Sequence, residues 1–191
     1  MGDTRQAAFD DVTLLSRAVD GDLDAYGELM TRHQSAALRV AAVICGSTHD
    51  ASDIVQDAFV ELHSRLNTYR GTGTVRSWML RVVANRAKNY VRADARRRQR
   101  DDRDARLNIR VDDGTDELAE RRLEHEQLAA ALSRLPERDR QVLGCRFVVG
   151  LSEAETAETL GVPVGTVKSR AARALGRLAT ELAPTGTERG R

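Results

Sequence analysis

Residues 151–178, LSEAETAETLGVPVGTVKSRAARALGRL, decide the fold. Ser152 followed three residues later by Glu155 is a capping box, in which each side chain satisfies a backbone N–H left without a partner at a helix start. Leu151, Ala154, Ala157 and Leu160 then recur every three residues, until Gly161, Val162 and Pro163 stop the run where a second helix can open. In that second helix Val164, Val167, Ala171, Ala174, Leu175 and Leu178 share one face. Thr166, Ser169, Arg173 and Arg177 fall opposite, Arg170 and Ala172 flank them, and Lys168 sits at the edge of the apolar stripe. No acid interrupts the stretch between Glu158 and Glu181. A charge run alone is usually a solvated face. A cap, a tight turn and cations at Lys168, Arg170, Arg173 and Arg177 together predict a recognition helix, gripping phosphates and reaching base edges in a major groove.

Working outward, 191 residues suit one domain or two small ones, and a hydrophobic fraction of 41% permits packed cores. The formal charge of +1 hides a strong asymmetry. From Asp10 to Glu61 there are ten acids against Arg17, Arg32 and Arg39. From Arg65 to Arg100 eleven cations face only Asp94, the distribution expected of a surface that meets a polyanion. Cys45 and Cys145 stand alone, with no C-x-x-C pair and no histidine at zinc spacing, so neither a disulfide framework nor a metal site is expected. The four histidines form no ligand pattern and no nucleophile motif occurs, so no catalytic residue and no cofactor is expected. No stretch reads as a signal peptide or a membrane span, which places the chain in the cytoplasm.

Periodicity predicts an all-α chain. After a loose arm at residues 1–9, a short helix ends near Gly21, and a longer one runs from about Leu23 to Cys45 with His33 at the edge of its apolar side. A third, from about Asp50 to Arg65, buries Ile54, Val55, Ala58, Phe59 and Leu62 and turns Asp53, Gln56, Asp57 and Glu61 the other way. Residues 67–74 form a Gly/Thr loop lacking the lysine of a phosphate-binding P-loop. A helix from about Val75 to Arg92 interleaves cations with aromatic rings, and Tyr69, Trp78 and Tyr90 are either core or stacking platforms for an unpaired strand. Residues 94–117 are densely charged and nearly devoid of apolar side chains, which predicts a flexible linker between a domain at 10–93 and another at 118–183. Beyond it a leucine-rich helix closes at Pro136, and another runs from Pro136 through Phe147.

Three stretches in this order, DASDIVQDAFVELHSRL (50–66), VRSWMLRVVANRAKNYVR (75–92) and LPERDRQVLGCRFVVGLSEAETAETLGVPVGTVKSRAARAL (135–175), resemble the extracytoplasmic-function group of the sigma-70 family of bacterial RNA polymerase sigma factors. The resemblance implies that Asp53, Gln56, Asp57 and Glu61 dock on the clamp helices of the largest subunit of core polymerase. It implies that the loop from Asn67 through Tyr69 and Arg70 holds a flipped base of the minus-ten element, with Trp78, Arg81, Asn85, Lys88 and Arg92 along the strand. Thr166, Lys168, Ser169, Arg170, Arg173 and Arg177 would meet the minus-thirty-five element as duplex promoter DNA, and an anti-sigma factor would restrain the protein. Thr156, Ala172 and Asn89 depart from the family's pattern, which expects a larger aliphatic, a bulky side chain and an Asp at these places. The competing reading is a free-standing helix-turn-helix regulator, which would bind duplex DNA unaided as a symmetric dimer.

Overall fold

The computed structural model describes residues 9–101, 127–128 and 130–182. Among them all regular structure is helical. Helices α1 (Asp11–Val19), α2 (Leu23–Cys45), α3 (Thr48–His63) and α4 (Val75–Asp101) form the N-terminal unit, with a 3₁₀ turn at Leu66–Thr68. Helix α5 (Glu137–Leu143) runs into a π turn at Gly144–Val148, followed by α6 (Glu153–Leu160) and α7 (Val164–Leu182).

Side chains set the helix starts. Asp10 accepts from the Thr13 N–H at 2.7 Å, Asp22 from the Ala25 N–H at 3.0 Å, and Ser47 from the Asp50 N–H at 3.2 Å. Gly46 ends α2 at φ 76°, where a side chain would be strained, and its N–H returns to the Ala42 carbonyl at 2.8 Å. Helix α2 therefore has the bounds its sequence predicts. Helix α3 starts two residues earlier than its apolar pattern suggests, because Ser47 supplies the cap.

Leu14, Leu29, Leu62, Val75 and Met79 fill one core within the N-terminal unit, each Leu contributing about 2 kcal/mol by burial. His33 is buried there at the α1–α2 contact, its Nε2 2.8 Å from Asp11 Oδ2. A second core is shared by the whole protein. Val40, Ala41 and Ile44 of α2 and Leu80, Val83, Ala84 and Ala87 of α4 are continuous with Val142, Cys145, Leu151, Ala157, Leu160 and Val167. The helix-turn-helix is seated on the N-terminal unit.

Several expectations need adjusting. Helix α4 does not end near Arg92 but continues to Asp101, since arginine and alanine are good helix formers whether or not they bury anything. The start of the expected linker, residues 94–101, is thus helical; 102–117 lie outside the described residues, as do Leu118, Leu123, residues 1–8 of the arm and the tail from Pro184. Phe9 is held, its carbonyl accepting from Arg32 at 2.9 Å and its ring lying beneath the Arg17 guanidinium at 4.8 Å. Residues 130–134 are helical up to the Pro136 boundary.

Candidate nucleic-acid interface

The capping box forms as its spacing predicts. Ser152 Oγ accepts from the Glu155 N–H at 3.1 Å while Glu155 accepts from the Ser152 N–H at 2.9 Å. Gly161 at φ 70° ends α6, and α7 opens after Pro163. Val167 and Ala174 are buried beneath α7, with Ala171 and Leu178 half-buried. Val164 and Leu175, expected on the same face, are instead 41% and 45% exposed, so the apolar stripe is narrower than the pattern suggests. On α6 the inner positions belong to Thr156 and Thr159 rather than Ala154, which is exposed. Both threonine hydroxyls are buried without a hydrogen-bond partner.

The outer side of α7 is cationic and locally ordered. Ser169 and Arg173 are exposed, Thr166 and Arg170 half-buried. Ser169 Oγ donates to the Thr166 carbonyl at 3.2 Å, and Arg173 Nε to the Ser169 carbonyl at 3.1 Å. Lys168 is not at an apolar edge; its side chain is 63% exposed and pairs with Glu153 at 3.5 Å. Arg170 and Arg173 border a cleft with Pro136, Glu137 and Arg138, on the side where Arg177 is drawn back to the buried Asp139. Ala172, where the family pattern expects bulk, is exposed.

The loop at 67–74 carries left-handed backbone at Gly71 and Gly73, and Tyr69 closes it by donating to the Gly73 carbonyl at 3.0 Å. Thr74 caps α4, accepting from the Ser77 N–H at 3.0 Å. Asn67 and Arg70 are exposed, and Tyr69 packs edge-on against Trp78 with ring centroids 5.7 Å apart. Both rings are partly buried against the N-terminal core, so they serve as walls of the loop as well as candidate stacking surfaces. Behind them Trp78, Arg81, Asn85, Lys88 and Arg92 fall at i, i+3, i+7, i+10 and i+14, one row along α4.

That row is not open to solvent throughout. Helix α6 lies against it, with Lys88 donating to the Leu160 carbonyl at 2.8 Å and Arg81 next to Gly161. Burial lowers the Lys88 ammonium below its ordinary value, with Arg92 and Arg81 acting in the same direction. Burial pushes the neighbouring Cys145 thiol up to about 12, and Lys88 offsets part of that rise. A thiol so held is a small apolar core residue at neutral pH. Cys45, half-buried, donates to the Ser47 carbonyl at 3.1 Å.

On the opposite side of the N-terminal unit α3 presents its acids. Asp53 and Gln56 are exposed; Asp57 pairs with Arg86 of α4 at 2.5 Å, and Glu61 with Arg65 at 2.9 Å. Among the described residues no group of His, Cys, Asp and Glu is arranged to hold a metal, and no helix is long and apolar enough to cross a membrane.

The family profile described as Sigma-70 region 2 matches residues 29–97, and that described as Sigma-70, region 4 matches 125–178. The chain is 32% identical over 184 residues to the ECF RNA polymerase sigma-E factor of Haemophilus influenzae, covering 91% of this chain and 96% of that one. Among solved structures it superposes on CnrH, determined in complex with the cytosolic domain of CnrY, with a TM-score of 0.68, at 27% identity and over 92% of this chain and 99% of that one. The fold also matches RpoE of Bartonella quintana, determined with the anti-sigma factor NepR, with a TM-score of 0.68 at 20% identity over 84% of this chain and 98% of that one. Two matched regions in the expected order, a relative aligned along nearly its whole length and a shared all-helical fold exclude the free-standing regulator: the chain belongs to the extracytoplasmic-function group of the sigma-70 family of RNA polymerase sigma factors.

Proposed function

We propose that this sigma factor divides its work between its two units, 10–93 and 118–183, and that it carries no chemistry of its own, acting in the cytoplasm on a polymerase that supplies the catalysis. Asp53, Gln56, Asp57 and Glu61 dock on the clamp helices of the largest subunit, the charge of α3 steering the encounter. Asn67, Tyr69 and Arg70 hold a base extruded from the minus-ten element, at a cost of a few kcal/mol offset by stacking and pocket contacts. Trp78, Arg81, Asn85, Lys88 and Arg92 guide the strand behind it. Thr166, Lys168, Ser169, Arg170 and Arg173 read the minus-thirty-five duplex. A restraining anti-sigma factor is the further partner, of the kind carried by the neighbour RpoE.

The observation that most supports this reading is the row of Trp78, Arg81, Asn85, Lys88 and Arg92 behind a glycine-bearing loop, on the side of the unit away from an acidic helix. Fluorescence anisotropy of the labelled protein against core polymerase across a salt series tests it. Saturable one-to-one binding, weakened by salt and by Asp53→Lys with Asp57→Lys, is the expected result. Binding that survives the charge reversal undiminished would remove α3 from the docking surface.

A further inference from the structure

The two units meet through charged side chains at the very place where the strand is proposed to lie. Arg76 Nη1 of α4 donates to Glu155 Oε1 of α6 at 3.1 Å. Ser77, fully buried, donates its hydroxyl to Glu158, whose carboxylate presses on Gly73 so closely that no Cβ would fit there. Glu158 thus sits against both the base-holding loop and the positive end of α4. Eleven residues further along the helix from Ser77, Lys88 is taken up by the Leu160 carbonyl. At the other end of the contact Gly144 lies against Val43 of α2, with its missing side chain as the space that allows the approach; a Cβ there would stand 3.1 Å from Val43 Cβ and closer still to both methyls.

We propose that α6 acts as an internal clasp, covering the strand-holding row of α4 so that the closed chain and a single strand exclude one another. The inference rests on the assignment of that row to strand binding made above. An acidic helix is suited to the task, because Glu155 and Glu158 satisfy Arg76 and the start of α4 as an incoming polyanion would. A hydrophobic seal alone would leave these groups buried without partners. Opening the clasp frees Lys88, Arg81 and the 67–74 loop together. The helix-turn-helix is released in the same movement, so both DNA-reading surfaces become available at once.

Cys145 reports the state directly. It is 0% exposed in the seam between the π turn and α2, and with Cys45→Ser it is the chain's single thiol. The experiment follows the rate at which a maleimide dye labels Cys145 in the full-length protein, with and without excess single-stranded oligodeoxythymidine, whose bases stack without sequence demand. Slow labelling is expected in the parent, faster by about tenfold in Glu158→Lys, as for loss of ~1.4 kcal/mol of closure, and faster when oligonucleotide is added. Gly144→Ala should open the seam independently by driving a methyl into Val43, and Val43→Ala in the same chain should slow labelling again. The opened variants should also bind the oligonucleotide more tightly than the parent. Labelling that none of these substitutions changes overturns the clasp while leaving the strand-binding assignment standing. Labelling that accelerates on substitution, with an oligonucleotide that neither binds nor accelerates it, overturns the exclusion together with the strand-binding assignment.

Discussion

Arg177 Nη1 donates to Asp139 Oδ2 at 2.6 Å, tying α7 to the first turn of α5 across 38 residues. The carboxylate is nearly buried, its side chain 10% exposed, while the arginine remains half in solvent. Arg177 was expected among the duplex-reading cations; its pairing gives it a second task, fixing the angle at which Thr166, Ser169 and Arg173 are presented.

Arg177→Ala should therefore act on stability. Leaving Asp139 buried without its partner should cost about 1–2 kcal/mol and lower Tm by about 3 °C per kcal/mol. Arg173→Ala, whose side chain is exposed and bonded only to its own helix, should leave Tm within 1 °C or so of the parent and weaken binding to a minus-thirty-five duplex. Thermal unfolding by circular dichroism and anisotropy on the duplex separate the two roles; equal loss of affinity with no change in Tm for Arg177→Ala would make it a direct DNA contact.

Thr156→Val should stabilise the protein. The Thr156 hydroxyl is buried without a partner between α6 and α7, and valine replaces it with a methyl of nearly the same shape. A gain of about 1 kcal/mol is expected, visible as a higher midpoint in guanidinium chloride with an unchanged slope. A lower midpoint would mean that the hydroxyl is satisfied after all.

Acid should loosen the contact between the units. Burial works against the Glu155 carboxylate, but its hydrogen bonds with Ser152 and the nearby Arg76 guanidinium outweigh burial and hold it below the ordinary value of 4.5. A depressed carboxylate contributes stability that is fully present above 4.5 and is lost as the pH falls through its lower value in the folded protein. The hydrodynamic radius should rise below that point, and Glu155→Gln, which keeps the capping box but gives up the charge, should shift the rise toward neutral pH. A radius that responds identically to pH in the two proteins would assign the expansion to other acids.

The Asp57–Arg86 pair should contribute little to folding. Both side chains are about half exposed, at 59% and 44%, and such pairs are worth 0–1 kcal/mol or so. Arg86→Ala should therefore leave the unfolding midpoint nearly unchanged while releasing Asp57 for core polymerase, seen as a steeper salt dependence of binding. A large loss of stability would show that the pair orients α3 on α4.

The elements legible in the sequence were those whose ends are set locally. Asp22 and Gly46 fix α2 to the residue, and Ser152 with Glu155 fixes α6, because caps act through the nearest backbone groups. Apolar periodicity failed where burial is not what makes the helix. The Arg-rich end of α4 is helical without a core, and its charge disguised it as a linker. The row on α4 could be read as a row, but not its cover, since α6 is more than sixty residues away and no local pattern records which face of another helix it meets. Two signals were present: the alanine-rich inner stretch of α2, buried at Ala36, Ala37, Val40 and Ala41 over a width greater than one neighbour needs, and Gly144 inside an otherwise apolar run. The π turn that follows Gly144 brings Cys145 and Val149 into the shared core, and the sequence offers no distinctive sign of it beyond that glycine.

Helix α4 is 27 residues in one piece, a rod about 40 Å long. Its first turn is gripped by Thr74 and Ser77, and near its far end Arg97 lies over the Tyr90 ring at 5.9 Å. Such a rod behaves as a lever with its fulcrum in the α2 and α3 packing. A tilt of a few degrees imposed where the base is captured arrives at Asp101 as a displacement of ångströms, so the chain leaving the N-terminal unit is aimed by events at the loop.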